Sequence, residues 1–380
     1  MKKHSLLVMM IAAFAAAGCV VVNPASEMDG FTGSDVKVGD NGAETGLKLL
    51  ILNEGPYNGQ STLDVLDLSH QKFYADIFAQ ANPEVVNGLG STGNDIEIAG
   101  SHIWLAMNAS NMIIGLDPYT FKMEVEIDID SPRSMVADDD YLYISSYGGA
   151  IYGGYSTAGR VFRVNLQDYT SSSIGVGYQP EGMVLLDGKL YVANSGGYNQ
   201  EKDNRVHVID TKTFEIEKVL QLPVSNLNMM RVVHEYLWVS TYSTYDSSYA
   251  ITAPSKLAVL TKDGTTTVID GVHADKITES DGWIYAIGND AEMTYGSDYC
   301  LYKVNSTSRE VDKTIHFNGS DLERISYPYC ILVNPYNSDI IIADASFTGD
   351  SKLHCFTSNF NHKWTITTGV GTGHLLLYKL

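Results

Sequence analysis

Glu181 and Asp275 are the first residues that offer chemistry, because they stand at matching places in a recurring pattern. The matching places read Asn94, Arg133, Glu181, Met229, Asp275, Tyr329 and Gly373. A carboxylate pair is what a glycosidase uses to protonate one atom and attack another. A metal-dependent lactonase asks for more, namely several oxygen ligands converging on one ion. Here apolar Met229 lies between the two acids, and no further ligand accompanies them. The 10 histidines are scattered without zinc-binding spacing, and no Gly-x-Ser-x-Gly nucleophile motif occurs. "GMVLLDGK", Gly182 to Lys189, ends like a phosphate loop, but its spacing is wrong and no helix follows. "GVGTGH", Gly369 to His374, is glycine-rich but lies between strand-like runs. These residues argue for a protein that is not an enzyme and carries no cofactor and no metal; a hydrolase built on Glu181 and Asp275 stays as an alternative.

The other chemistry on offer is recognition. The stretch "SSYGGAIYGGYSTAGR", 145–160, sets Tyr147, Tyr152 and Tyr155 among glycines. Comparable stretches carry Tyr57, Tyr198, Tyr242, Tyr245, Tyr249, Tyr295 and Tyr299, with Met293 and Phe347, so ten of the 24 tyrosines fall in such segments. Tyrosine gives a large rigid contact with a polar tip, while Ser, Gly and Asn let the backbone adapt. The expected contacts are Tyr147, Tyr152, Tyr155, Tyr198, Tyr242, Tyr245, Tyr295 and Phe347, with Arg133, Asn199 and Asn289 as polar anchors.

A repeated element must position these segments. Its clearest copy, Gln179 to Leu222, parses as four short strands with a tight turn at Asp187-Gly188. Its second strand recurs as "KLLILNEG", "IWLAMNAS", "YLYISSYG", "KLYVANSG", "YLWVSTYS", "WIYAIGND" and "DIIIADAS". The anchors are Leu50, Trp104, Tyr143, Tyr191, Trp238, Tyr285 and Ile341, and helical periodicity is almost absent. Copies of a four-strand unit at this spacing predict an all-β, seven-bladed β-propeller. The first copy lacks a first strand, and "GTGHLLLYKL", Gly371 to Leu380, is a first strand with nothing after it. Pairing this C-terminal strand with the N-terminal blade would close the ring. The tyrosine-rich loops then share one face, and the opposite face carries short turns. Along "EVEIDID", Glu124, Glu126, Asp128 and Asp130 alternate as the acids of a protected outermost strand.

The ends and the charge place the protein. Residues 1–18 read as a secretory signal, with basic Lys2 and Lys3 before an apolar run. Cys19 follows "AAG" as the lipidated first residue of a bacterial lipoprotein would. Residues 19–44 read as a lipidated flexible tether, leaving 45–380 for the propeller. The formal charge of -20 becomes -22 without the two signal lysines, which argues against a nucleic-acid partner. Cys300, Cys330 and Cys355 lie in strand-like runs and are expected as thiols, with one disulfide as the alternative.

With its lipoprotein start, its blade pattern and its tyrosine-rich loops, the chain resembles the YncE-like seven-bladed propellers among surface lipoproteins of Bacteroidetes. Within that group it is most similar to the cobalamin-binding BtuG propellers. The resemblance implies a lipid-anchored outer-membrane protein facing the cell exterior. It would capture cobalamin (vitamin B12) or another corrinoid as cargo and pass it to a BtuB-like, TonB-dependent outer-membrane transporter. The chain lacks the Asp-x-His-x-x-Gly pattern of many enzymes that hold cobalamin as cofactor. The alternative ligand is a glycan, although Trp104, Trp238 and Trp283 all fall in strands, which leaves few tryptophan platforms for sugars.

Overall fold

The computed structural model describes residues 28–39, 46–149, 158–197, 199, 201–248, 250–289 and 298–379. The runs of β-branched and aromatic residues form seven antiparallel sheets, arranged as the blades of a closed ring. Six blades follow the chain strand by strand from the axis outward, for example Pro180–Leu186, Lys189–Asn194, Arg205–Asp210 and Glu215–Gln221. Second strands are buried almost throughout, as in Leu47–Asn53, while the outermost strand Met123–Asp128 exposes Glu124, Glu126 and Asp128 alternately. Seven buried apolar clusters join neighbouring blades, so each blade is stabilised by its neighbours.

The closing blade is composite. Its innermost strand, Thr372–Lys379, pairs antiparallel with Leu47–Asn53, with Leu50 opposite Leu376, as the sequence predicts. Within the segment expected as tether, Ser34–Asp35 adds a fifth strand by pairing with Lys72–Phe73, and Val38 is fully buried. That stretch is therefore part of the propeller wall rather than outside it. The tight turn after Leu186 holds Asp187 and Gly188 both at positive φ, 50° and 71°, the type I′ geometry that a two-residue hairpin requires. Cys300 and Cys355 are buried and Cys330 half-buried, all as free thiols.

The pairing registers fix what faces the axis. Met183 lies opposite Val192, Met230 opposite Val239 and Ile277 opposite Ala286. Two residues before each, Glu181, Asn228 and Asp275 occupy one level with Asn94, Arg133, Tyr329 and Gly373. The expected Met229 is thus one residue deeper, and Asn228 takes its place. Ten residues before the second-strand anchor stand Asn94, Arg133, Glu181 and Asp275 in their blades and Asn228 here, and the bulge between Leu227 and Met230 matches that between Pro180 and Met183, so the shared register puts Asn228 at this level.

Candidate functional site

The axial channel opens among the ends of second strands and the beginnings of first strands, which meet on the loop face. It encloses about 550 Å³ and is lined near its mouth by Glu54, Asn94, Arg133, Glu181, Asn228, Tyr242, Lys276, Tyr329 and Gly373. One position deeper come Asp95, Met229, Cys330 and His374, with the backbone of Lys276, whose side chain reaches back to the mouth, and further down Glu97, Arg231, Thr278 and Glu279.

Arg133 organises the mouth. Its Nε and Nη2 donate to Glu181 Oε2 at 3.1 and 3.0 Å, and Nη1 donates to Asn94 Oδ1 at 2.7 Å, tying three blades together. The guanidinium also lies 4.9 Å from the centre of the Tyr147 ring. Tyr147 Oη donates to Glu181 Oε1 at 2.5 Å, and Ser195 Oγ donates to the same oxygen at 3.3 Å. Both carboxylate oxygens of Glu181 are therefore engaged. Burial works against the Arg133 charge, but Glu181 and the tyrosines beside it outweigh that and hold its pKa well above the ordinary arginine value.

On the other side of the mouth the Lys276 ammonium lies 5.7 Å from the Tyr242 ring centre and 5.2 Å from that of Tyr329. The Tyr242 hydroxyl lies beside Arg133, and that of Tyr329 beside Glu54. Burial raises the Glu54 pKa, against the opposing pull of Tyr329, Arg133 and Lys276. Gly373 leaves room here: a Cβ would come within 2.8 Å of Glu54 Oε1 and 3.2 Å of Tyr329 Cε1 and would push the end of the Glu54 side chain aside. Tyr329 stacks on Tyr327 at 5.5 Å, and Phe347, 36% exposed, meets it edge-on at 5.4 Å. Below, His374 lies 4.0 Å from Glu54 and 3.9 Å from Asp95. Burial, then the nearby Arg133 and Lys276 charges, lower its pKa to about 3 and leave the imidazole neutral.

Of the expected contacts, Arg133, Tyr147 and Tyr242 share one network, and Phe347 joins it through Tyr329. Tyr147 is buried and committed to Glu181. Tyr245, Asn199 and Asn289 do not line the channel. Tyr245 lies in a small hairpin, Thr244–Tyr245 with Ile251–Ala253, while Asn199 closes a turn by donating its N–H to the Gly196 carbonyl at 2.6 Å. Asn289 is buried at the end of its strand. Tyr152, Tyr155, Tyr198, Tyr295 and Cys19 lie outside the described residues, as do Tyr249 and Met293. Asp275 shares the level of Glu181 but is not among the lining residues; its carbonyl accepts from Asn228 Nδ2 at 2.6 Å and from Ser240 Oγ at 3.2 Å.

The sequence reading missed Glu54, Asp95, Glu97, Arg231, Lys276, Glu279 and His374. One signal for Glu54 was present. The residue four places after each second-strand anchor reads Glu54, Asn108, Tyr147, Ser195, Tyr242, Asn289 and Ala345, mostly polar where a strand end should be apolar. Among the described residues, no group of three His, Cys, Asp or Glu side chains could hold a metal ion.

No protein-family profile and no curated protein matches the sequence. Solved propeller structures do match in fold. Apo AztD from Citrobacter koseri is 10% identical, covering 87% of this chain and 98% of its own, with a TM-score of 0.52. BamB from Moraxella catarrhalis is 14% identical over 92% of this chain and 95% of its own, TM-score 0.51. A candidate 6-phosphogluconolactonase from Bacteroides fragilis is 10% identical over 88% and 98%, TM-score 0.57. At such identities the likeness is one of fold.

Proposed function

We propose that the protein is a binding protein that captures cobalamin or a related corrinoid on the loop face and hands it to a BtuB-like outer-membrane transporter. The observation that carries this reading is the mouth itself. Tyr242, Tyr329 and Phe347 present aromatic surface around polar anchors that are already fixed by Arg133 and Glu181. A corrinoid is a rigid disc with apolar faces and an amide rim, and it would lie across such a mouth rather than sink into the channel. A preformed polar and aromatic rim on a closed ring lowers the ordering cost of binding. The commitment of both Glu181 oxygens to internal partners favours binding over hydrolysis, since neither is left to activate water.

A glycan is the competing ligand, and the tryptophans weigh against it. Trp104 and Trp238 are fully buried, Trp364 is nearly so, and Trp283 begins its strand at the opposite face. In this reading residues 1–18 direct export, Cys19 carries the lipid, and the loop face is turned to the exterior. No helix among the described residues is long and apolar enough to cross a membrane.

Titration calorimetry with cyanocobalamin on the chain lacking residues 1–19 tests the reading. One-to-one binding is expected, weakened at least ~10-fold in a Tyr242→Ala, Phe347→Ala double variant, since each buried aromatic contact contributes of order 1 kcal/mol or more. No heat and no thermal shift with cyanocobalamin would sink the corrinoid reading and direct the search to glycans.

A further inference from the structure

Lys276 is the one cation at the mouth whose donors are left over. Among the described residues its Nζ has no hydrogen-bond acceptor; its ion-pair partner, Asp275 Oδ2, stands 4.0 Å away at the limit of contact. The side chain is nonetheless only 17% exposed and is capped by the Tyr242 and Tyr329 rings. Lysines on the outer surface are better paired: Lys189 reaches Asp210, Lys262 reaches Asp187 and Lys363 reaches Asp339, each at 2.5 Å. The ammonium therefore faces the cavity with donors that no acceptor among the described residues takes up, and in so shielded a wall a charge-assisted bond to an arriving anion is worth more than at the open surface.

The neighbours decide what that group is. Glu181 is neutralised by Arg133, and the Tyr242 and Tyr329 hydroxyls lie beside Arg133 and Glu54. Glu54 lies in a setting that disfavours its ionised form. What remains facing the opening is a positive charge with three donors between two aromatic faces. We infer that Lys276 forms an anion subsite at the channel mouth, which seats a phosphodiester or carboxylate of the captured ligand. This rests on the capture reading and deepens it, because the phosphodiester of the cobalamin nucleotide loop is such a group. A free phosphate would satisfy the same donors.

The test compares cyanocobalamin with dicyanocobinamide, which lacks the nucleotide loop and its phosphodiester, in the wild type, Lys276→Gln and Lys276→Arg. Thermal melts confirm that the variants fold. A charge-assisted hydrogen bond in a partly buried site corresponds to ~10–100-fold in affinity. Cyanocobalamin should lose that factor in Lys276→Gln and recover most of it in Lys276→Arg, while dicyanocobinamide changes less than ~3-fold. Loss of both ligands alike, or of neither, would overturn the anion subsite while leaving corrinoid capture standing.

If neither corrinoid binds the wild type, the capture reading falls by itself, and a second arm decides the subsite. Acetylation of Lys276 by acetic anhydride is followed by peptide mass spectrometry with and without inorganic phosphate, with exposed Lys122 and Lys212 as references. Selective protection of Lys276 keeps the anion site for another ligand. Equal labelling with and without phosphate removes it.

Discussion

At the scale of single residues, the channel is governed by charge held where water is scarce. Burial, helped by neighbouring Asp95, raises the Glu97 pKa to about 7, and burial raises Asp95 itself to about 6. Their ordinary values are 4.5 and 3.8. Between those values and the raised ones, the folded chain keeps protons that the unfolded chain has released. Stability contributed by these groups therefore falls as pH rises from about 4 to about 7 and stays low above it. Glu97→Gln removes the larger part of this penalty. Its urea-unfolding free energy should match the wild type near pH 4 and exceed it by about 1–3 kcal/mol at pH 8. An unchanged pH slope would mean that Glu97 ionises freely in the folded channel, balanced by Arg231. The same residues mark what the sequence could reveal. Arg133, Glu181, Tyr329 and Asn94 were legible because a repeat aligns them. Asp95, Lys276 and His374, each the next residue inward, were not. Bulges at the start of most inner strands, those of Asp95 and His374 among them but not that of Lys276, turn two successive residues toward the axis, and a bulge leaves no mark on alternation until the pairing is known.

Elements show the same division. All seven second strands were readable, since each is a short, nearly continuous apolar run ending in polar loop residues. The hairpin inside 240–255, the five-residue helix Ile77–Ala81 and the added strand Ser34–Asp35 were not, being too short for any period to show. Yet short polar contacts hold the seam of the closing blade. Thr372 Oγ1 donates to Asn53 Oδ1 at 2.6 Å, and Asn53 Nδ2 donates to Thr62 Oγ1 at 2.9 Å and to Asp64 Oδ2 at 2.8 Å. Asn53, Asp64 and Thr372 are all buried. Thr372→Val keeps the shape and strands the Asn53 oxygen, so a loss of about 1–3 kcal/mol is expected in chemical denaturation. The exposed Thr367→Val, nearby on the neighbouring outermost strand, should stay within about 0.5 kcal/mol. Equal effects from the two would mean that the seam does not depend on this network.

For the molecule as a whole, closure and function meet in one strand. Thr372–Lys379 supplies the inner wall of the closing blade, and its Leu375, Leu376, Leu377 and Tyr378 pack into the two clusters that join this blade to its neighbours. Gly373 and His374, in the same strand, line the mouth and channel beside Glu54 and Tyr329. In a ring, each interface is stabilised only when its neighbours are in place, so losing one inner strand exposes two faces at once. A chain ending at Gly371 should therefore lose its single cooperative melting transition and bind a hydrophobic dye. A peptide spanning 371–380, added in trans, should restore both the transition and ligand binding, because it returns the missing wall and the missing part of the mouth together. Restored folding without restored binding would separate the two roles and move the ligand away from the axis, onto the outer loops. A truncated chain that melts like the wild type would show that the ring holds without its clasp, and that six blades and part of a seventh suffice.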